Sequence, residues 1–304
     1  MSWVLASLLS ALFLGVYQLC TKQAVNANAV LPVLFWSNVC SATVWLALIT
    51  LDFALAGNPQ GTSGLPLFLK VAPLDWRGHA LLFLKSLLVA GSWICSYFAV
   101  KHLPVSLTAP IRATGPLWTL AGALLVLGER PSSLEYLGMG ITLASFFGLS
   151  LAGAKEGVDF LRNRWIGLLI GGTLLGTISG LYDKYLLGTE GFDAATVQCW
   201  FSIYLAAIFL PIVVGWWRRW WTRNDFHWRW SILGVSFGLL IADFLYFDAL
   251  RQPEALVSLV SSLRRGSTLV AFAGGLWFFG EKNGLQKLPA VLGIVAGMIL
   301  TVIG

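Results

Sequence analysis

Ten runs of roughly twenty residues, nearly free of charge, follow one another along this 304-residue chain. An apolar helix of about 20 residues spans the ~30 Å hydrocarbon core of a bilayer. The first five runs are 2–21, 30–51, 80–100, 104–127 and 134–153; the second five are 165–186, 194–216, 230–250, 255–279 and 286–303. At about 30 residues per span plus loop, little chain remains for anything else. Composition agrees: 57% of residues are hydrophobic and 11% charged, against roughly 25% charged in soluble domains. A soluble enzyme, a disordered tail protein and a disulfide scaffold are excluded. The predicted fold class is all-α integral membrane.

The uncharged stretch 1–21 is expected to be the first span and not a cleaved leader, since it has no basic head and no small-residue cleavage site. The four cysteines (Cys20, Cys40, Cys95, Cys199) lie inside apolar runs with no CxxC spacing. They are expected to be small apolar residues of helices. Three scattered histidines near span ends give no metal or haem pattern, so no metal and no cofactor is expected. The net charge of +6 points to loops beside anionic lipid, not to nucleic acid. Six of the fifteen tryptophans crowd the segment from Gly215 to Trp230. They are expected to form an interfacial belt, with an aromatic ligand cage as the alternative.

An internal repeat organises the chain. Val105-Ser106-Leu107 through Gly128-Glu129-Arg130 aligns without gaps on Val257-Ser258-Leu259 through Gly280-Glu281-Lys282, at an offset of 152 (257 minus 105). Arg112 falls on Arg264 and Gly122 on Gly274; more weakly, Lys22 echoes Lys184. The expected units are 1–154 and 165–304, with five spans each. Five is odd, so the second unit enters the membrane in the opposite sense to the first. Such inverted repeats are the usual construction of alternating-access carriers.

The Gly-Glu-Arg and Gly-Glu-Lys that close spans four and nine, together with the five-plus-five plan, resemble the drug/metabolite transporter superfamily, nearest its ten-helix EamA-type branch. The resemblance implies a central cavity lined by spans 1, 3, 4, 6, 8 and 9, and a substrate among amino acids, nucleosides, drugs, sugar phosphates or nucleotide sugars. It also implies cytoplasmic termini. The positive-inside rule reads otherwise. The N-terminal side carries four basic loop residues (Lys70, Arg77, Arg130, Arg251) against eleven on the other (Lys22, Lys101, Lys155, Arg162, Arg164, Arg218, Arg219, Arg223, Arg229, Lys282, Lys287). That count puts both termini outside the cytoplasm.

Charge inside a span costs about 2.5–3.5 kcal/mol at the helix centre on insertion scales and marks a protein interior or a watery cavity. Arg112 lies ~12 Å into span four, on one face with Thr108, Gly115 and Thr119. In span nine Ser258, Ser261, Ser262 and Arg265 share a face, with Arg264 beside it. Two readings stand for the three arginines. Guanidinium forms bidentate bonds with carboxylate or phosphate, so they clamp an anionic substrate. Alternatively Asp243, Asp248 or Glu254 neutralises them internally. The adjacent basic pair in span nine also resembles the phosphate-binding pair of plastid sugar-phosphate translocators. Asp243 is either a protonatable coupling carboxylate or the counter-ion of Arg264 or Arg265. Lys184, Tyr182, Tyr17 and Gln18 are further cavity candidates, and Lys85 is either a cavity group or a snorkelling residue. Glu129 and Glu281 are expected to bond the start of a neighbouring helix. The glycine pair Gly293 and Gly297 is expected to let spans five and ten approach closely, within a monomer or a homodimer.

The expected function is a secondary carrier of a small polar organic anion in a bacterial cytoplasmic (inner) membrane, with the lipid bilayer, protons or a counter-substrate as further partners. The alternatives are a proton-coupled exporter of amino acids, nucleosides or drugs, and a lipid-handling or structural membrane protein. Without a catalytic constellation, an enzyme is not expected.

Overall fold

A computed structural model describes residues 2–56, 64–102, 111–112, 114–151, 163–220, 224–278 and 284–304. The regular structure among these residues is helical, with no strand. The first half comprises α1 (Trp3–Val25), α2 (Val30–Ala56), α3 (Trp76–His102), α4 (Gly115–Gly122) and α5 (Ser133–Leu151). The second comprises α6 (Arg164–Lys184), α7 (Ala194–Trp217), α8 (Ser231–Arg251), α9 (Val257–Leu263), α10 (Ser267–Phe278) and α11 (Gly284–Ile303). Wider π turns extend α4 over Ala123–Leu127 and α6 over Tyr185–Thr189. Among the described residues, six helices are long and apolar enough to cross a membrane, and two shorter apolar helices join them.

Spans four and nine depart from the continuous helices that hydropathy suggests. In span nine a tight 3-10 turn, Arg264–Gly266, separates α9 from α10. In span four Thr114 is a turn residue whose N–H donates to Ile111 O at 3.1 Å. The helix then restarts at Gly115 with Pro116 in its first turn. Proline is tolerated there and not in a helix interior; glycine at 266 has the weakest helix preference of the remaining residue types. The restarts, Gly115 and Ser267, are 152 residues apart (267 minus 115), the offset of the sequence repeat. Both halves therefore break the same helix at the same register.

The pairing of helices has the same symmetry. α1 packs along α8 and α3 along α6, while α2 packs on α7 and α5 on α11. Exchanging spans one to five for spans six to ten converts the first contact into the second and returns each of the others to itself. Missing side chains permit the closest approaches. A Cβ on Gly172 of α6 would lie 3.0 Å from Ser92 O and 3.1 Å from Ser96 N of α3. One on Gly297 of α11 would lie 2.6 Å from Gly138 O of α5, so the glycine pair of the last span serves packing within the chain.

The largest apolar cluster lies on the side of the bundle where α1 begins. It gathers Leu82, Leu186, Leu187, Tyr246, Phe247, Leu250, Val257 and Val260. On the opposite side Trp217, Trp220, Trp228 and Trp230 are exposed, as an interfacial belt requires.

Candidate functional site

A cavity of about 310 Å³ opens in the middle of the bundle, above the apolar cluster. Its walls come from spans one, three, four, six, eight and nine. α1 contributes Gln18, α3 contributes Ser92 and Ser96, and α6 contributes Gly172, Thr173, Gly176 and Thr177. Arg112 and Thr119 enter from span four, Tyr246 from α8, and Ser261, Arg264, Arg265 and Ser267 from span nine. The two helix breaks therefore sit at the cavity wall, and the repeat-related Arg112 and Arg264 both face it. Among the described residues no acidic side chain lines the cavity.

Several bonds fix the wall. Gln18 Nε2 donates to Ser267 Oγ at 3.3 Å and joins the first span to the restart of the ninth. Ser92 Oγ donates to Gly172 O at 2.7 Å, and Thr177 Oγ1 to Gly115 O at 3.4 Å. Arg264 Nη2 donates to Asp243 Oδ1 at 2.9 Å, and its guanidinium lies over the Tyr246 ring, 4.1 Å from the centroid. Arg264 Nε is buried and has no hydrogen-bond partner among the described residues. Arg265 reaches across to span four, with Nη2 3.8 Å from where a Cβ on Gly115 would stand. Arg112 is the exposed member of the three.

Not every candidate residue reaches the cavity. Lys184 Nζ donates to three carbonyls, Leu250 O (3.1 Å), Gln252 O (3.1 Å) and Ala255 O (2.6 Å). It caps the end of α8, where helix carbonyls lack intrahelical partners. Tyr182 stacks on Tyr185 and donates to Leu81 O at 3.4 Å within the apolar cluster. Tyr17 packs against the bare backbone of Gly238, its Cα 3.3 Å from where a Cβ would be. Ser262 is buried off the cavity. Thr108 and Glu281 lie outside the described residues.

Glu129 has the helix-binding role expected of it. Its carboxylate accepts from Val257 N (2.5 Å), Ser258 N (3.2 Å) and Ser258 Oγ (2.6 Å) at the start of α9. Sequence reasoning missed the Lys85–Asp183 pair, an ion pair directly below the cavity with side-chain exposures of only 2% and 6%. Phe201 and Phe247 flank the ammonium, 4.4 and 4.8 Å from Nζ to ring centroid. Ninety-eight residues separate the partners, and no local pattern links them. The hydroxyl-bearing wall left a readable trace: Thr173 and Thr177 recur at helical spacing between Gly172, Gly176 and Gly180.

Residues 1–151, the first five helices, match the model of the EamA-like transporter family. No curated protein matches the sequence. A solved structure described only as "Crystal structure of protein" superposes with a TM-score of 0.70 at 13% identity, covering 99% of this chain and 95% of its own. At that identity the likeness shows the fold alone.

Proposed function

We propose that this chain, which belongs to the EamA-like transporter family, is a secondary carrier of a small polar organic anion, carboxylated or phosphorylated. It is a multi-pass membrane protein of the drug/metabolite transporter type; the anion, the coupling and the bacterial cytoplasmic membrane are our reading. One observation carries it: three guanidiniums and no acid line the cavity among the described residues. An anion that enters would meet guanidiniums on the walls from spans four and nine, where Arg264 already holds a carboxylate, that of Asp243. The ring of serine and threonine oxygens adds acceptors suited to the hydroxyls of a polyhydroxylated body.

In this reading Arg112, Arg264 and Arg265 hold the acidic group, Ser261, Ser267 and Gln18 orient the rest, and Asp243 keeps Arg264 in place between turnovers. The anion takes over the Arg264 bonds that Asp243 holds. Proton coupling is the second reading, and it rests on the position of the Arg264–Asp243 pair at the cavity wall. Transport would proceed by rocking of the helices around that site. With the basic loops in the cytoplasm, the cavity would open to that side.

The test is a thermal-shift screen of the purified carrier against carboxylated and phosphorylated metabolites, followed by transport in vesicles. A stabilising anion is expected, because ligand binding raises the melting point by mass action. Transport of that anion surviving both Arg112→Ala and Arg264→Ala would end the proposal.

A further inference from the structure

A second cavity, of about 240 Å³, lies away from the central one, between the end of α2, the segment 64–73 and α7. Its walls are largely apolar: Leu48, Ile49, Leu69 and Val71. Two polar groups break them. Asp52 Oδ1 and Trp200 Nε1 are both buried, and neither has a hydrogen-bond partner among the described residues.

The pocket is built, not a loose crevice. Ala72 N donates to Thr196 Oγ1 at 2.9 Å and fastens the segment to α7. The Trp200 ring stacks on Tyr204 and meets His79 edge-on at 4.4 Å, and His79 Nδ1 shares a 2.8 Å hydrogen bond with the Tyr204 hydroxyl. The indole is therefore held in one orientation. Asp52 is four residues from the end of α2 at Ala56, about 6 Å along the axis. α2 has 27 residues, about 40 Å, and a ~30 Å hydrocarbon core centred on it would have its border near Asp52. Phe53, Leu67 and Phe68 stand exposed around it, a surface that prefers acyl chains to water.

A buried carboxylate oxygen calls for a cation that donates, and a buried indole N–H calls for an acceptor. One amphiphile carries both close together: a phospholipid whose headgroup joins a primary ammonium to a phosphate. We propose that this pocket binds one such ethanolamine-type lipid, its ammonium on Asp52, its phosphate on Trp200 Nε1 and its chains against Phe53, Leu67 and Phe68. The site is opposite in sign to the central cavity and lies outside it, so it does not rest on the transport reading. A quaternary choline head offers Asp52 no N–H, and a glycerol head offers it no positive charge.

The experiment is native mass spectrometry of the intact protein released from nanodiscs of equal ethanolamine, choline and glycerol phospholipid. The wild type is expected to retain the ethanolamine lipid roughly tenfold over the choline lipid, since hydrogen bonds to charged groups are the strong ones. Asp52→Asn should remove that preference, and Trp200→Phe should reduce it, with melting curves showing that both variants fold. Equal retention of ethanolamine and choline lipids by the wild type overturns the proposal, as does a preference that persists in Asp52→Asn. Displacement of the lipid by soluble phosphoethanolamine at equal concentration also overturns it, because the chains would then contribute nothing.

Discussion

Two acid–base pairs stand one above the other in this bundle, and their surroundings divide their roles. Lys85–Asp183 lies in the dry layer beneath the cavity, between a helix of the first half and one of the second. Phenyl rings shield its ammonium. Arg264–Asp243 sits at the cavity wall with side-chain exposures of 17% and 14%, and one guanidinium nitrogen is still without a partner among the described residues. The Coulomb partners are equivalent; access to water is not. A sealed pair has no alternative partner, so it fastens α3 to α6. A pair on a cavity can exchange its carboxylate for a visitor's.

Breaking the sealed pair should have the largest effect. Lys85→Met or Asp183→Leu alone leaves one buried charge uncompensated, at a cost on the order of 3–5 kcal/mol. The double variant removes both charges and fills the space with apolar groups, and it should recover most of that loss in thermal unfolding. A double variant as unstable as the singles would show that the layer is wetter than its packing implies. Transport by the stable double variant is the sharper readout. If the pair also opens to water when the cavity faces the other side, the double variant should bind substrate normally and turn over slowly.

Arg264→Ala should behave in the opposite way. The freed Asp243 can turn to cavity water, so the melting point should fall less than in either sealed-pair variant. The anion-induced thermal shift should vanish, and affinity should drop at least roughly tenfold for a lost charge-assisted bond. A variant that melts far below the sealed-pair variants yet, while folded, still binds the anion would reverse the comparison and give Arg264 the structural role.

The boundary between what could be read and what could not follows the range of the interactions. Span positions depend on local hydropathy, and where their ends fall on described residues they lie within a few residues of expectation. Glu129 was legible because the glycine before it ends a helix, and because a carboxylate at that level meets the electropositive start of another. The breaks at Thr114 and Gly266 were overlooked although Pro116 and Gly266 mark them, because the apolar run continues across both. Lys184 was a cavity candidate partly because Lys22 echoes it in the other half, and a sequence echo carries no information about the carbonyls at and just beyond the end of α8 that Lys184 meets. Lys85 and Asp183 meet only through the cross-pairing of the halves, and spacing along a single helix carries no information about that.

Glu129→Gln tests the rim between the two regions and should have an intermediate effect. The side chain keeps its shape and one acceptor but loses its charge, and α9 loses part of its N-terminal cap, which is worth about 1–2 kcal/mol. α9 carries the arginine turn at its far end. Loosening its start should therefore blur the position of Arg264 and Arg265 without touching either. The expected signature is a modest loss in melting temperature together with weaker anion binding, and Glu129→Asp should not rescue it because the shorter arm cannot reach Val257 and Ser258 at once.

The smallest effect is expected from Gln18→Leu. Its bond to Ser267 is long, 3.3 Å, and neutral on both sides, so the fold should lose no more than about 0.5–1.5 kcal/mol. Its value lies in where it sits. Gln18 joins α1 to the restart of the broken ninth span, on the cavity side and away from the sealed layer. If the cavity wall is the adaptable region and the layer beneath it the fixed one, this substitution should alter which anions the carrier prefers and leave its melting point nearly unchanged. A large fall in stability with unchanged preference would mean that the wall is as rigid as the floor. Selectivity would then have to come from the arginines alone.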